Sequence, residues 1–82
     1  MGKLEVVIAA ILRGSSDQNI DFDDVRYALT ALEFDERIKG SHHIFTKTGV
    51  DEIINIQPLG KRAKTYQVKQ VRNLILKYKM AR

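Results

Sequence analysis

The sequence predicts an α+β domain in which helices gather on one face of a three-stranded antiparallel sheet. Three observations carry the prediction. Apolar residues recur at spacings of three and four toward both ends of the chain, which is the helical period. Between about residues 34 and 57 the pattern changes to short, strand-length segments. A Gly40-Ser41 turn, a Thr48-Gly49 tight turn and Pro58 divide that middle region into three pieces that pair as a meander. Eighty-two residues with 44% hydrophobic content make one domain, residues 1–82, with one core, and are too apolar for a disordered chain.

The elements follow in order. Leu4, Val7, Ile8, Ile11 and Leu12 mark one face of an N-terminal helix over residues 3–13, ended by Gly14. Its apolar run, residues 6–12, is far short of the roughly 18 to 20 residues a membrane span needs. Residues 14–19 form a polar loop. Asp21 is the expected N-cap of the next helix, with Asp24 as the reciprocal member of a capping box, and Phe22, Val25, Leu29 and Leu32 on its apolar side. Its end near Leu32 carries no Gly or Pro. Strands are expected over about 34–38, 42–47 and 52–57, the last closed by Pro58, which cannot donate to a ladder. A basic loop, Gly60-Lys61-Arg62-Ala63-Lys64, leads to a last helix with Thr65 as N-cap and Val68, Val71, Leu74, Ile75 and Tyr78 as its stripe. Lys77, Lys79 and Arg82 suit the negative end of its dipole. The core of the domain is thus residues 21–80, with the 3–13 helix added to it.

The formal net charge of +4 conceals a segregation. Residues 1 to 38 carry four basic and eight acidic side chains, residues 39 to 82 ten basic and two acidic. A basic half of that density favours an anionic partner, with nucleic acid first. The absence of cysteine excludes disulfides and thiolate–metal sites, and the expected location is cytoplasmic.

Both histidines of the chain lie in Lys39-Gly40-Ser41-His42-His43-Ile44-Phe45, after the Gly-Ser turn and at the start of a strand. Neighbours on a strand point to opposite faces, so the pair does not converge on one ligand or chelate a metal. A histidine is more often a surface or satisfied buried residue than a catalyst. Here its context is basic, and histidine exchanges protons near neutrality. RNA cleavage by the 2′-hydroxyl needs a group to move protons and cations to stabilise phosphoryl oxygens, and no metal. The expectation is therefore a site with His42 as the catalytic group and Gly40, Ser41 and His43 in support. Lys39, Lys47, Lys61, Arg62 and Lys64 are the candidate phosphate contacts, and no cofactor is expected. There is no Gly-rich phosphate loop, and Asp23-Asp24 and Asp51-Glu52 read as a helix cap and a hairpin edge rather than magnesium ligands.

From about Asp21 to Met80, the helix, strand, Gly40-Ser41-His42-His43 with its downstream aromatic, strand ending near Pro58, basic loop and closing helix resemble the HicA-type (YcfA-like) toxins of toxin–antitoxin modules. The resemblance implies a fold like a double-stranded-RNA-binding domain and ribosome-independent cleavage of messenger RNA. It also implies an HicB-like antitoxin as protein partner, and an essential histidine after the Gly-Ser turn, carried onto His42. The helix over 3–13, the lack of a histidine after Pro58 and the opening Thr65-Tyr66-Gln67 depart from that pattern. Two other readings stand beside it: a non-catalytic RNA-binding domain gripping phosphates through residues 61–64, and a protein-interaction module in which the histidines are incidental.

Overall fold

A computed structural model describes residues 2–80. The order is α1 (Lys3–Arg13), a 3-10 turn (Asp17–Asn19), α2 (Phe22–Ala31), β1 (Asp35–Lys39), β2 (His42–Lys47), β3 (Val50–Ile56), β4 (Pro58–Leu59), β5 (Arg62–Ala63) and α3 (Thr65–Lys77). The fold is α+β, as the sequence predicts: β1, β2 and β3 form an antiparallel sheet with β2 in the centre. Phe45, Ile54 and Ile56 on its covered face join Val25 and Leu29 of α2, Val68, Val71 and Ile75 of α3 and Ile11 of α1 in one core. The Cα radius of gyration, 11.6 Å, matches the roughly 12 Å expected of one compact unit of this length. Among the described residues no helix is long and apolar enough to cross a membrane.

The helix ends separate into two kinds. α1 stops at Gly14, which takes the left-handed conformation without a Cβ penalty. α2 and α3 end in the same backbone pattern without glycine. Glu33 (φ 71°) and Lys79 (φ 53°) occupy the left-handed position, and the Phe34 and Met80 N–H groups donate back to the Leu29 and Ile75 carbonyls, both at 3.0 Å. Arg82, expected to assist the end of α3, lies outside the described residues.

Several sequence expectations change in detail. Asp21 is the N-cap of α2, but its carboxylate bonds no helix N–H; it accepts from Arg62 Nη1 at 2.8 Å instead, and the capping box with Asp24 does not form. Lys64, not Thr65, is the N-cap of α3. Its side chain has no acceptor, and only the return half of a capping box exists, from the Lys64 N–H to Gln67 Oε1 at 3.2 Å. β1 begins at Asp35 rather than Phe34, because Phe34 closes the end of α2. β3 starts at Val50, since the Thr48-Gly49 turn is only two residues long. The basic loop is itself a small hairpin, β4–β5, turning at Gly60-Lys61. Backbone bonds from Phe22 N–H to the Lys61 carbonyl and from Ala63 N–H to the Ile20 carbonyl, both 2.9 Å, fasten this hairpin to the start of α2.

Candidate functional site

Strand alternation separates the two histidines. Register pairs His43 with Ile38 and Ile56, and His42 with Lys39. Side chains opposite one another in an antiparallel ladder share a face, so His43 lies with Phe45, Ile54 and Ile56 toward the helices, and His42 points to the open face. The two-residue connection Gly40-Ser41 has positive φ only at Gly40 (62°), the pattern of a type II′ hairpin turn. A Cβ at Gly40 would meet nothing within 4 Å, so the requirement there is backbone conformation rather than space.

On the covered face His43 is anchored rather than free. Its Nδ1 is 2.7 Å from Glu36 Oε2, and their side chains are only 13% and 18% exposed. Glu36 also accepts from Arg26 Nε at 2.7 Å and Nη2 at 3.3 Å, a forked pairing. The Arg26 hydrogen bonds hold the Glu36 carboxyl below the usual carboxylate range against the opposing effect of burial, with His43 assisting. An ionised carboxylate only accepts, so Nδ1 of His43 carries the proton and Nε2 keeps its lone pair in the neutral ring. The Phe22 ring meets the imidazole edge-on, with centroids 4.9 Å apart and planes at 77°. Nε2 has no hydrogen-bond partner among the described residues. Gln67 Nε2 is the single side-chain polar atom there that is buried and unpartnered, so Nε2 of His43 is not fully enclosed.

His43 lines a cleft of about 360 Å³ together with Phe22, Asp23, Arg26, Pro58, Gly60 and Lys61. The β4–β5 hairpin supplies one wall, and its tie to α2 brings Lys61 there. Arg26 spans the Glu36 and Asp23 carboxylates, reaching Asp23 Oδ1 at 3.3 Å, so Lys61 is the cation of this cleft without an acidic partner among the described residues.

On the open face His42 sits among amides. Its Nδ1 is 3.1 Å from Asn55 Oδ1, and Gln57 Nε2 is 2.7 Å from its Nε2, closer than to its Nδ1 at 3.2 Å. Lys64 Nζ donates to Gln57 Oε1 at 3.4 Å, which turns the Gln57 amide nitrogen toward the ring. The chain of contacts Lys64–Gln57–His42–Asn55 suits a ring with its proton on Nδ1.

The remaining expected contacts divide. Lys39 is exposed beside His42, Lys64 joins its network and Lys61 lines the His43 cleft. Ser41 is exposed in the turn and makes no side-chain hydrogen bond among the described residues. Lys47 is not brought to the site. It lies at the far end of β2, roughly 17 Å along the strand, where Nζ donates to the Leu32 carbonyl at 2.8 Å and finishes α2. Arg62 is occupied by Asp21 and the Asn19 carbonyl. A second concavity along α3, between Glu52, Tyr66, Lys69, Asn73 and Lys77, contains no histidine, and its carboxylate is engaged: Lys77 and Tyr78 take both oxygens of Glu52. Among the described residues no three His, Asp or Glu side chains cluster as a metal site would require.

Sequence reasoning missed Glu36, Arg26, Asn55 and Gln57. The signal for Glu36 was present: a carboxylate on the covered side of a strand, between Phe34 and Ile38, must find a partner. Arg26, one turn beyond Phe22 on α2, is that partner.

No family model, curated protein or solved structure matches the chain. The site is therefore read from its own geometry.

Proposed function

We propose that this chain is a metal-independent endoribonuclease of the messenger-RNA-cleaving toxin type, acting on single-stranded RNA, with His43 as its proton-transfer group. The observation that supports it most is the Glu36–His43 pair, which fixes the ring through Nδ1 and leaves Nε2 without a partner, on a residue that lines an open cleft together with Lys61. The sequence alone favoured His42. The geometry favours its neighbour, because a general base works best when a second group orients it and its free nitrogen faces the substrate.

In the proposed reaction Nε2 of His43 takes the proton of an RNA 2′-hydroxyl as the 2′-oxygen attacks the adjacent phosphorus. The P–O5′ bond breaks, the 5′-oxygen leaves with a proton from water, and the upstream fragment ends in a 2′,3′-cyclic phosphate. Lys61 offsets charge growing on the phosphoryl oxygens. Glu36 stabilises the imidazolium that forms, the usual task of a buried carboxylate behind a histidine. The Gly40-Ser41-His42-His43 resemblance adds an HicB-like antitoxin as the natural partner of such an enzyme; covering the cleft would silence it.

The test is incubation of purified, partner-free protein with labelled single-stranded RNA in EDTA. Cleavage by wild type and its loss in a folded His43→Ala variant are expected, with 2′,3′-cyclic phosphate ends. Intact RNA together with a salt-dependent mobility shift would select the non-catalytic RNA-binding domain instead.

A further inference from the structure

The His43 cleft has little positive charge to spare. Arg26 is engaged by two carboxylates, and Lys61 is its one cation without an acidic partner among the described residues. A polyanion held only there would be held weakly. Further uncommitted positive charge lies on the other side of the sheet. Lys39 stands directly across the ladder from His42, and Lys64 reaches the same group of side chains through Gln57. Neither lysine is ion-paired among the described residues.

We propose that Lys39, His42, Asn55, Gln57 and Lys64 form a phosphate-binding subsite for the RNA strand. It holds a phosphodiester of the same strand whose neighbouring segment lies in the His43 cleft. This rests on the reading of that cleft as the cleavage site. The strand passes around the Gly40-Ser41 end of the sheet, where consecutive residues of β2 face opposite sides and one flexible chain reaches both. The chemistry of the cluster suits an acceptor-rich ligand. The two ammonium groups and the Asn55 amide nitrogen are donors, and none of them donates to an acidic group among the described residues. The contacts of Gln57 with Lys64 and of His42 with Asn55 hold the cluster in place before the ligand arrives. His42 is here a binding residue and His43 the reacting one, so the paired histidines divide two tasks between two faces.

The experiment measures binding of a fluorescent 2′-O-methyl RNA oligonucleotide, which lacks the attacking hydroxyl and is not cut, by anisotropy across a salt series. The Lys39→Ala/Lys64→Ala double variant is expected to bind about tenfold more weakly, with a salt slope shallower by about 1.4, since each single-strand phosphate contact contributes about 0.7. The Lys69→Ala/Lys79→Ala variant, with the same change in net charge elsewhere, is expected to keep most of the wild-type slope. Equal slopes and affinities in the two double variants would overturn the subsite. With cleavable RNA, His42→Ala is expected to raise KM several-fold and leave kcat unchanged; collapse of kcat at constant KM overturns it too. A wild type that shows the predicted binding differences but cuts no RNA would remove the cleavage reading alone and leave the phosphate site standing.

Discussion

Two identical side chains, one residue apart, occupy opposite worlds in this molecule. His43 is nearly enclosed, bonded to an ionised carboxylate and pressed edge-on by Phe22, with one nitrogen unpartnered. His42 is exposed and shares its nitrogens with two neutral amides. Composition is the same and sequence context nearly so. What differs is which side of a pleated strand each falls on, and so which partners reach it. A carboxylate partner prepares an imidazole to accept a proton, whereas amide partners prepare it to recognise a ligand.

The largest expected break in this comparison is His43→Ala, which should lower single-turnover RNA cleavage by about 10²- to 10⁴-fold, the usual contribution of a positioned acid–base group. His42→Ala should leave kcat near wild type. If quench-flow rates show the reverse, the roles of the two faces are exchanged. Next is Glu36→Gln, which keeps the shape but cannot dictate the histidine tautomer. A loss of about 10- to 100-fold in kcat with little change in KM is expected, and Arg26→Ala should give a milder version of the same defect.

Glu36 also makes a prediction about stability and pH. Its folded pKa lies below the usual value, with the Arg26 hydrogen bonds as the main cause. The stabilisation is therefore fully present above the unfolded-state pKa, near 4.3, and is lost as pH falls through the lower folded value. Glu52 behaves alike at the far end of the sheet, where Lys77 and then Tyr78 pull its carboxyl down to about 2. Urea titrations between pH 5 and pH 2 should show wild type losing more stability than either Glu36→Gln or Glu52→Gln. Only the first substitution should affect cleavage, which separates the site from a structural ion pair.

Smallest is Glu33→Gly. It removes a side chain from a left-handed position at the end of α2 (φ 71°) and should stabilise by about 0.5–1 kcal/mol with cleavage unchanged. On a domain of this size that is a rise in Tm of about 2–8 °C by calorimetry.

Much of this arrangement was legible in the sequence, and the rest was hidden for specific reasons. The opposed directions of His42 and His43 follow from the period of a strand alone. Which of them faces the helices did not, because Ile44 and Phe45 are both apolar and either parity could have formed the core. Ile53 beside Ile54 posed the same ambiguity; the structure exposes 61% of Ile53 and buries Ile54 completely. The end of α3 and that of α2 lacked a glycine marker because Lys79 and Glu33 hold the left-handed positions, against their intrinsic preference. The β4–β5 hairpin was obscured by its two-residue strands and by the charge of Lys61 and Arg62, which reads as loop. Its position depends on long-range bonds to Ile20, Asp21 and Phe22 that no local pattern announces.

Arg72 shapes how the N-terminal helix behaves. From α3 its guanidinium donates to the Ile11 carbonyl at 3.0 Å and to the Asp17 carboxylate at 3.0–3.3 Å, with both charged side chains largely enclosed. The last turn of α1 is thereby stitched to the final helix of the chain. Such a tie spans the sequence nearly end to end, so loosening the last turn of α1 takes from a largely enclosed guanidinium one of its two acceptor groups. In hydrogen-exchange terms, its amides should exchange with the free energy of global opening rather than with that of a fraying appendage.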